Sequence, residues 1–363
     1  MSNSCRWMAM CLSVIMCQLM FVPAGAQTML SPYQPGVTTD GAVYFLPKTA
    51  VQVRVLVEKS SYKPGEYAIY AQRFLRLSNV GLEPMTTYRV VGVNPLAVAV
   101  PDTTKAFAVK FNSKTVAANV ALSHDGLLMA INAIPKEMPE VPAFKPAPKQ
   151  PVADPHQFMN EEIVSAGSMA KMAELTAREI YDLRENRSLI IKGQADPMPA
   201  DGVQMQLMLN QMNLQDQALT SLFQGVTERD TTEHVITIVP DGPVTHQVLF
   251  RLSQRLGLVD SDDLSGVPYY INIENISNLP STDEEGKARK KLSETGIYVN
   301  VPGKMRLTVY RGGEQLAKSE LPAAQFGNVE LLSGDLFNKR YTTHLWLNPL
   351  TGAVDRLEAE QPK

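Results

Sequence analysis

The stretch VQVRVLV, residues 51–57, alternates β-branched valines with the polar residues Gln52 and Arg54. A period of two places every second side chain on the same face of an extended strand. The valines therefore form an apolar face, and the polar residues point to the opposite side. This stretch predicts a half-buried β-strand and indicates a β-rich fold for the chain around it.

More short strands are predicted ahead of residue 135, because β-branched and aromatic runs alternate there with turn residues. They cover Tyr88–Val93, Ala106–Phe111, Thr115–Leu122 and Leu127–Ile131. Asn94-Pro95 and Pro101-Asp102 are among the predicted turns between them. This spacing is typical of an antiparallel sandwich or barrel. A short helix is also predicted, at Glu66–Leu77, directly after Pro64-Gly65.

Two amphipathic helices are predicted further along the chain. The first covers about Ser168–Asn186 and the second Val203–Phe223, with apolar residues at three- and four-residue steps. Asp201 is expected to cap the second helix, and Gly225 is expected to end it. Between the helices, the run SLIIK at Ser188–Lys192 predicts a strand.

The last third of the chain returns to β-branched and aromatic runs that predict strands. These runs are His234–Val239, Val248–Leu252, Tyr269–Ile276, Ile297–Val301, Met305–Tyr310, Val329–Leu332, Thr342–Leu347 and Val354–Glu358. Gly312-Gly313 and Asn348–Gly352 are predicted to turn hairpins between neighbouring strands.

Residues 135–156 are dense in proline, with prolines at 135, 139, 142, 146, 148, 151 and 155. Such density favours extended polyproline conformation and predicts a linker. The alternative is a proline-rich loop that lies flat on one continuous domain. With a linker, a signal peptide at 1–26 precedes an N-terminal β-rich domain at 27–134, and a C-terminal α+β domain covers 157–363. The predicted fold class is β-rich α+β, with two antiparallel sandwich- or barrel-like domains, the second preceded by two helices.

The N-terminus has the order of a secretory signal peptide. Arg6 precedes an apolar run at residues 7–22, and Ala24-Gly25-Ala26 supplies small residues before Gln27. The apolar run is shorter than the roughly 20 residues that a membrane-spanning helix needs. We expect export, cleavage and no transmembrane segment in the mature chain. The alternatives are a retained N-terminal anchor and lipidation at Cys17.

Composition and motifs limit the chemistry of the mature chain. All three cysteines lie within the predicted signal peptide, and the remaining residues carry 33 basic and 37 acidic side chains. This balance does not favour nucleic acid as a partner. The residues 166–170 lack the second glycine of a nucleophile elbow, so Ser168 is expected to start a helix. The histidines lack the spacing of a helical zinc site. We predict no catalytic residue, no metal site and no cofactor.

Two long blocks, FLPKTAVQVRVLVEKSSYKPGEYAIYAQRFL at residues 45–75 and AREIYDLRENRSLIIKGQADPMPADGVQMQLMLNQMNLQDQALTSLFQG at residues 177–225, carry a family resemblance. The chain resembles an exported family of the Bacteroidetes, the domain-of-unknown-function family DUF4831, over essentially all of its mature length. The resemblance implies a Gram-negative host, and hence the periplasm or the outer-membrane region as destination. It implies no activity, cofactor or catalytic residue.

Two segments are candidates for partner binding. The first is the loop between the two predicted helices, whose candidate residues are Asp196, Pro197, Met198, Pro199, Asp201 and Gly202. Loops carry function more often than cores do, but this loop could equally be a rigid start of the second helix. The second is an aromatic ridge of Tyr67, Tyr70 and Phe74 on the short helix, for which core packing is the alternative.

These observations favour a non-enzymatic binding module that acts as a scaffold or adaptor in the cell envelope, with an envelope protein or a glycan as partner. The alternative is an exported hydrolase or carbohydrate-active enzyme. Such an enzyme would use two carboxylates that are distant in sequence but about 5 to 9 Å apart in a cleft. A passive structural protein is the third hypothesis, and it would have no specific partner.

Cleavage of the signal peptide is directly testable. We expect the mature chain to begin at Gln27, because the small residues before it fit a signal-peptidase site. Intact-mass spectrometry of the protein purified from the cell envelope measures this N-terminus. Recovery of a chain that still begins at Met1 would contradict the prediction.

Overall fold

The structure, a computed structural model, describes residues 37–38, 41–110, 119–138, 140–149, 153–279, 296–337 and 341–361. The predicted signal peptide and its cysteines lie outside these residues, as does the first part of the predicted strand Thr115–Leu122. Within the described part of the chain, no helix is long and apolar enough to cross a membrane.

Strands dominate the described residues. In chain order they are β1 (Val37–Thr38), β2 (Gly41–Lys63), β3 (Met85–Lys110), β4 (Val120–Leu122), β5 (Leu128–Ile131), β6 (Val226–Ile238), β7 (Val244–Ser253), β8 (Gly257–Val259), β9 (Val267–Asn275), β10 (Gly296–Arg311), β11 (Glu314–Ser333), β12 (Thr342–Leu347) and β13 (Val354–Glu360). The α-helices are α1 (Ala71–Leu75), α2 (Glu161–Val164), α3 (Met169–Ile191) and α4 (Gly202–Gln224). Short 3₁₀ turns cover Ala68–Tyr70, Pro155–Phe158 and Gly334–Phe337.

The strands form three antiparallel sheets. In the first sheet, β3 pairs with one edge of β2, while β1 and β6 pair with the other. The second sheet has the order β11-β10-β9-β7-β8, and the third has the order β13-β12-β5-β4. The helices α3 and α4 precede the second sheet in the chain. The predicted β-rich α+β class, with antiparallel sheets and two helices before the later strands, is confirmed.

The valines of β2 form the centre of the first hydrophobic core. Val51, Val53 and Val55 are fully buried in one cluster with residues of the second sheet such as Ile271 and Leu307. Each fully buried valine contributes roughly 1.5 to 3 kcal/mol relative to an exposed one. The two sheets therefore pack face to face, as the alternation at residues 51–57 predicted.

A second core involves the first half of β2. Tyr44 and Leu46 are buried with Leu345 and Leu347 of the third sheet and with Ile297 of β10. Strands β2 and β10 therefore each contribute to two cores. This double role explains why β10 is one long strand where the sequence predicted two, Ile297–Val301 and Met305–Tyr310.

Strand β3 is also longer than predicted, and it contains the predicted turns Asn94-Pro95 and Pro101-Asp102. Pro95 pairs opposite Val53, and Pro101 pairs opposite Pro47. Because β3 is the outer strand of its sheet, a missing N–H can face away from β2 without breaking the ladder. The prediction of two separate strands, Tyr88–Val93 and Ala106–Phe111, is therefore wrong.

The helices form a third core with the segment after β2. Tyr67 and Ala71 are buried with Ala173, Ile180 and Phe223 of α3 and α4. The helices α3 and α4 form a hairpin, and both were predicted. The strand predicted at Ser188–Lys192 is wrong, because α3 continues to Ile191. The β-branched residues there remain helical because Ile190 is buried in the hairpin, so that packing overrides local propensity.

The proline-rich segment lies against the folded chain. Arg54 of β2 donates a 2.6 Å hydrogen bond to the carbonyl of Pro142, and Trp346 donates a 3.1 Å bond to the carbonyl of Ile134. Strands on both sides of the segment pair with each other, since β2 pairs with β6 and β5 pairs with β12. These pairings join the two predicted domains through shared sheets. Their independent folding stays a prediction.

The contact between Gly65 and α4 gives a stability prediction. A Cβ atom on Gly65 would lie 2.1 Å from the carbonyl oxygen of Leu222, whereas one on Gly167 would have nothing within 4 Å. We expect Gly65→Ala to lower the free energy of unfolding by about 1 to 3 kcal/mol, because the backbone must move apart. The matched change Gly167→Ala should be nearly neutral. Urea denaturation of both variants tests this, and equal effects would contradict it.

Candidate functional site

The predicted loop lies at the end of the helical hairpin, where it joins α3 to α4. Asp196, Pro197 and Met198 are exposed, and Pro199 is half-buried. Asp201 accepts a 2.7 Å hydrogen bond from the N–H of Gln204, so it caps α4 as predicted. Gly202 begins the helix and is exposed. The loop is therefore a well-defined helix start. Its role in binding stays a prediction.

Apolar side chains surround this loop in exposed positions. We call Ile191, Met198, Val203 and Leu207 the hairpin-end surface; they are 65%, 40%, 81% and 70% exposed. Val203 and Leu207 are four residues apart and so lie on one face of α4. Exposed apolar side chains that cluster in this way are typical of a surface that contacts another molecule.

Ion pairs between the helices brace the hairpin. Arg184 of α3 reaches Asp216 of α4 at 2.9 Å, and Arg187 lies 3.7 Å from the same carboxylate. Arg187 also donates a 2.7 Å hydrogen bond to Asn213. These contacts are partly shielded from solvent, so they fix the position of the hairpin end better than fully exposed pairs would.

The predicted aromatic ridge packs into the third core. Tyr67 is only 1% exposed, and its ring meets that of Phe223 edge-on at 5.4 Å. Tyr70 and Phe74 are half-buried against the same cluster. The core alternative therefore describes Tyr67. This core lies near the end of α4, about 30 Å along the helix from the predicted loop, so the two candidates do not form one site.

A cluster that the sequence reasoning missed lies on the outer face of the second sheet. The His246 ring stacks on Tyr270 with centroids 4.0 Å apart, and its Nδ1 lies 2.7 Å from the Oη of Tyr310. The tyrosines pair directly across β9 and β10, with centroids 5.7 Å apart. We call these three side chains the aromatic platform. His246 is exposed, and both tyrosines are half-buried.

Backbone geometry holds His246 in this position. Its φ angle is 55°, in the left-handed region that costs a non-glycine residue roughly 1 to 2 kcal/mol. The His246 N–H donates a 2.7 Å hydrogen bond to Oδ1 of Asn272, which also accepts a 3.3 Å bond from Tyr310. These bonds and the ring stack offset the strain. Strained residues of this kind cluster at binding and catalytic sites.

Charged side chains continue the same face of the sheet beside the platform. The guanidinium of Arg306 lies 2.9 Å from Glu320 and 3.7 Å from Glu274, on the strands to either side. Thr308 separates Arg306 from Tyr310 on β10, and it pairs with Asn272. The outward-facing row therefore combines aromatic, hydroxyl, amide, carboxylate and guanidinium groups.

The family comparison agrees with the resemblance in the sequence. A family model described as "Domain of unknown function (DUF4831)" matches residues 40–355. The chain belongs to this family. No curated protein and no solved structure matched the chain. The DUF4831 description names no activity, so functional assignment depends on the geometry of this chain.

Other polar clusters of this DUF4831 member have structural roles. Ser168 accepts a 3.3 Å hydrogen bond from the N–H of Lys171, as expected for a helix cap. His156 lies 3.0 Å from Asp154 and 3.3 Å from Glu66. The Asp154 hydrogen bond, helped by the charge of Glu66, raises the pKa of His156 above its usual value. This contact fastens the end of the proline-rich segment to the turn after β2.

Metal ligands do not converge in the described residues: no group of three or more histidine, cysteine, aspartate or glutamate side chains is placed to hold an ion there. The aromatic platform was difficult to find from sequence because its members lie on three strands. Its only sequence signal was the alternation that placed Tyr270 and Tyr310 opposite the buried face of β9 and β10.

The cap at Asp201 gives a test of the hairpin loop. We expect Asp201→Ala to lower the free energy of unfolding by about 1 kcal/mol, because the Gln204 N–H loses its acceptor. Asp201→Asn should be nearly neutral, since an amide oxygen can replace the carboxylate oxygen. Thermal unfolding of both variants measures the difference. Equal losses would indicate a role for the charge instead.

Proposed function

We propose that this DUF4831 protein is a non-enzymatic scaffold or adaptor of the bacterial cell envelope, and that it binds another protein through the hairpin-end surface. The observation that carries this proposal is the exposure of Ile191, Met198, Val203 and Leu207 around the loop between α3 and α4. Burial of each side chain against a partner would contribute roughly 1.5 to 3 kcal/mol before the costs of association.

The rigidity of the hairpin supports this proposal. Asp201 caps α4, and Asp216 ties the two helices together through Arg184 and Arg187. A surface that is already in its bound shape loses little conformational entropy on binding. An amphipathic helix that offers residues four positions apart to a partner is also a common mode of protein recognition.

The well-shielded carboxylates support a non-enzymatic role. Asp102 lies 3.8 Å from both Lys48 and Lys105, and Asp216 pairs with two arginines. Each of these carboxylates therefore has cationic neighbours. The alternative hydrolase would need two acids that face each other across a cleft.

The destination in the cell is part of the same proposal. The order of charged, apolar and small residues at 1–26 supports export. The resemblance to an exported Bacteroidetes family supports the periplasm or the outer-membrane region of a Gram-negative bacterium. In that compartment an adaptor meets other exported proteins.

Crosslinking with matched variants tests the hairpin-end surface. The full chain would be crosslinked in the cells that encode it, purified, and analysed for bound proteins. Met198→Asp and Leu207→Asp place a charge on the surface, so we expect each to lower partner recovery about tenfold, equivalent to about 1.4 kcal/mol. Leu264→Asp is the control, because Leu264 is 84% exposed between β8 and β9.

Circular dichroism would establish that all three variants remain folded. Equal partner recovery from wild type and all three variants would contradict the proposal. Turnover of an ester, peptide or glycoside substrate that a single carboxylate substitution abolishes would instead support the hydrolase.

A further inference from the structure

We propose that the outer face of the second sheet is a carbohydrate-binding site, in which the aromatic platform of His246, Tyr270 and Tyr310 takes a pyranose ring. This inference is independent of the hairpin-end surface, because it concerns other residues and another class of ligand. It is carried by the geometry of the platform and by the polar groups beside it.

The platform is built for contact with a ligand. Its rings lie within 4.0 to 6.0 Å of one another, with interplanar angles of 14° to 36°. Near-parallel aromatic rings on the outer face of a sheet offer flat, electron-rich surface to the C–H groups of a sugar ring. They lie opposite the buried face of β9 and β10, and the first core does not need them.

The polar row supplies partners for the sugar hydroxyls. Arg306 is four residues from Tyr310 on β10, which corresponds to about 13 Å along the strand. A short oligosaccharide could therefore stack on the platform and reach the charged row at the same time. Glu274 and Glu320 accept hydrogen bonds in pairs, and the Arg306 guanidinium donates them in a planar fork. Vicinal hydroxyls present donors and acceptors at matching spacing.

The same row argues against other ligands. A nucleic acid could stack its bases on the rings, but the carboxylates of Glu274 and Glu320 would repel its phosphates. A protein partner requires an apolar centre within a polar rim. The outward side chains of β9 and β10 next to the tyrosines are Asn272 and Thr308, which are polar. Flat rings beside planar polar groups fit a sugar better than either.

Affinity electrophoresis of the purified mature chain tests the proposal. Native gels would contain soluble glucan, xylan, mannan or pectin, and calorimetry would then use oligosaccharides of the polymer that retards the chain most. We expect at least one polymer to retard the wild type. Tyr270→Ala and Tyr310→Ala should each raise Kd about tenfold, because each removes one ring of the platform.

Controls separate stacking from folding. Tyr310→Phe keeps the ring and should retain most of the affinity. Tyr341→Ala removes an exposed tyrosine outside the platform and should bind like the wild type. Arg306→Ala alters only the polar row, so it provides a folded test if an alanine variant of the platform loses its circular dichroism signal. It should weaken binding several-fold.

The proposal is overturned if none of the four polymers retards the wild type, or if Tyr270→Ala and Arg306→Ala both bind as tightly as the wild type. Binding of a peptide in place of a sugar on these rings would also overturn it. Met198→Asp should leave sugar affinity unchanged, so failure here is distinguishable from failure of the adaptor proposal.

Discussion

Strand β2 has to satisfy its backbone on both edges while it buries side chains in two cores. Its residues from Gly41 to Lys63 pair with β3 on one edge and with β1 and β6 on the other. Val53 and Val55 face the second sheet, whereas Tyr44 and Leu46 face the third. A buried backbone N–H or C=O without a partner is costly, so the strand cannot form before its neighbours are in place. This requirement joins chain segments that are far apart in sequence.

Local patterns predicted the elements whose reasons are local. The alternation at 51–57, the spacing of α3 and α4, the cap at Asp201 and the turn at Asn348–Gly352 depend on residues a few positions apart, and all four are confirmed. The failures have longer-range causes. Pro95 and Pro101 fit within β3 only because that strand has one unpaired edge. The β-branched end of α3 stays helical because Ile190 is buried by the fold.

The same distinction applies to the candidate sites. The hairpin loop could be predicted because two helices with a short connection must present that connection at one end. The aromatic platform could not, since residues 246, 270 and 310 meet only when the strand order β10-β9-β7 is known. Tyr67 shows the reverse error. Its helical spacing with Tyr70 is equally compatible with a ridge or a core, and the contact with Phe223 comes from a helix more than a hundred residues later.

An irregularity in β7 explains how His246 joins the platform. Val244 pairs with Ile273 and Gln247 with Ile271, so β7 has one more residue than β9 over this interval. In a regular ladder, His246 would pair with Ile271 and share its buried face. The extra residue forms a bulge, and the φ of 55° at His246 turns its ring onto Tyr270 instead. Bulges re-aim side chains in this way near binding sites. The strain at His246 is therefore the structural condition for an aromatic surface on a sheet whose other face is fully used by the core.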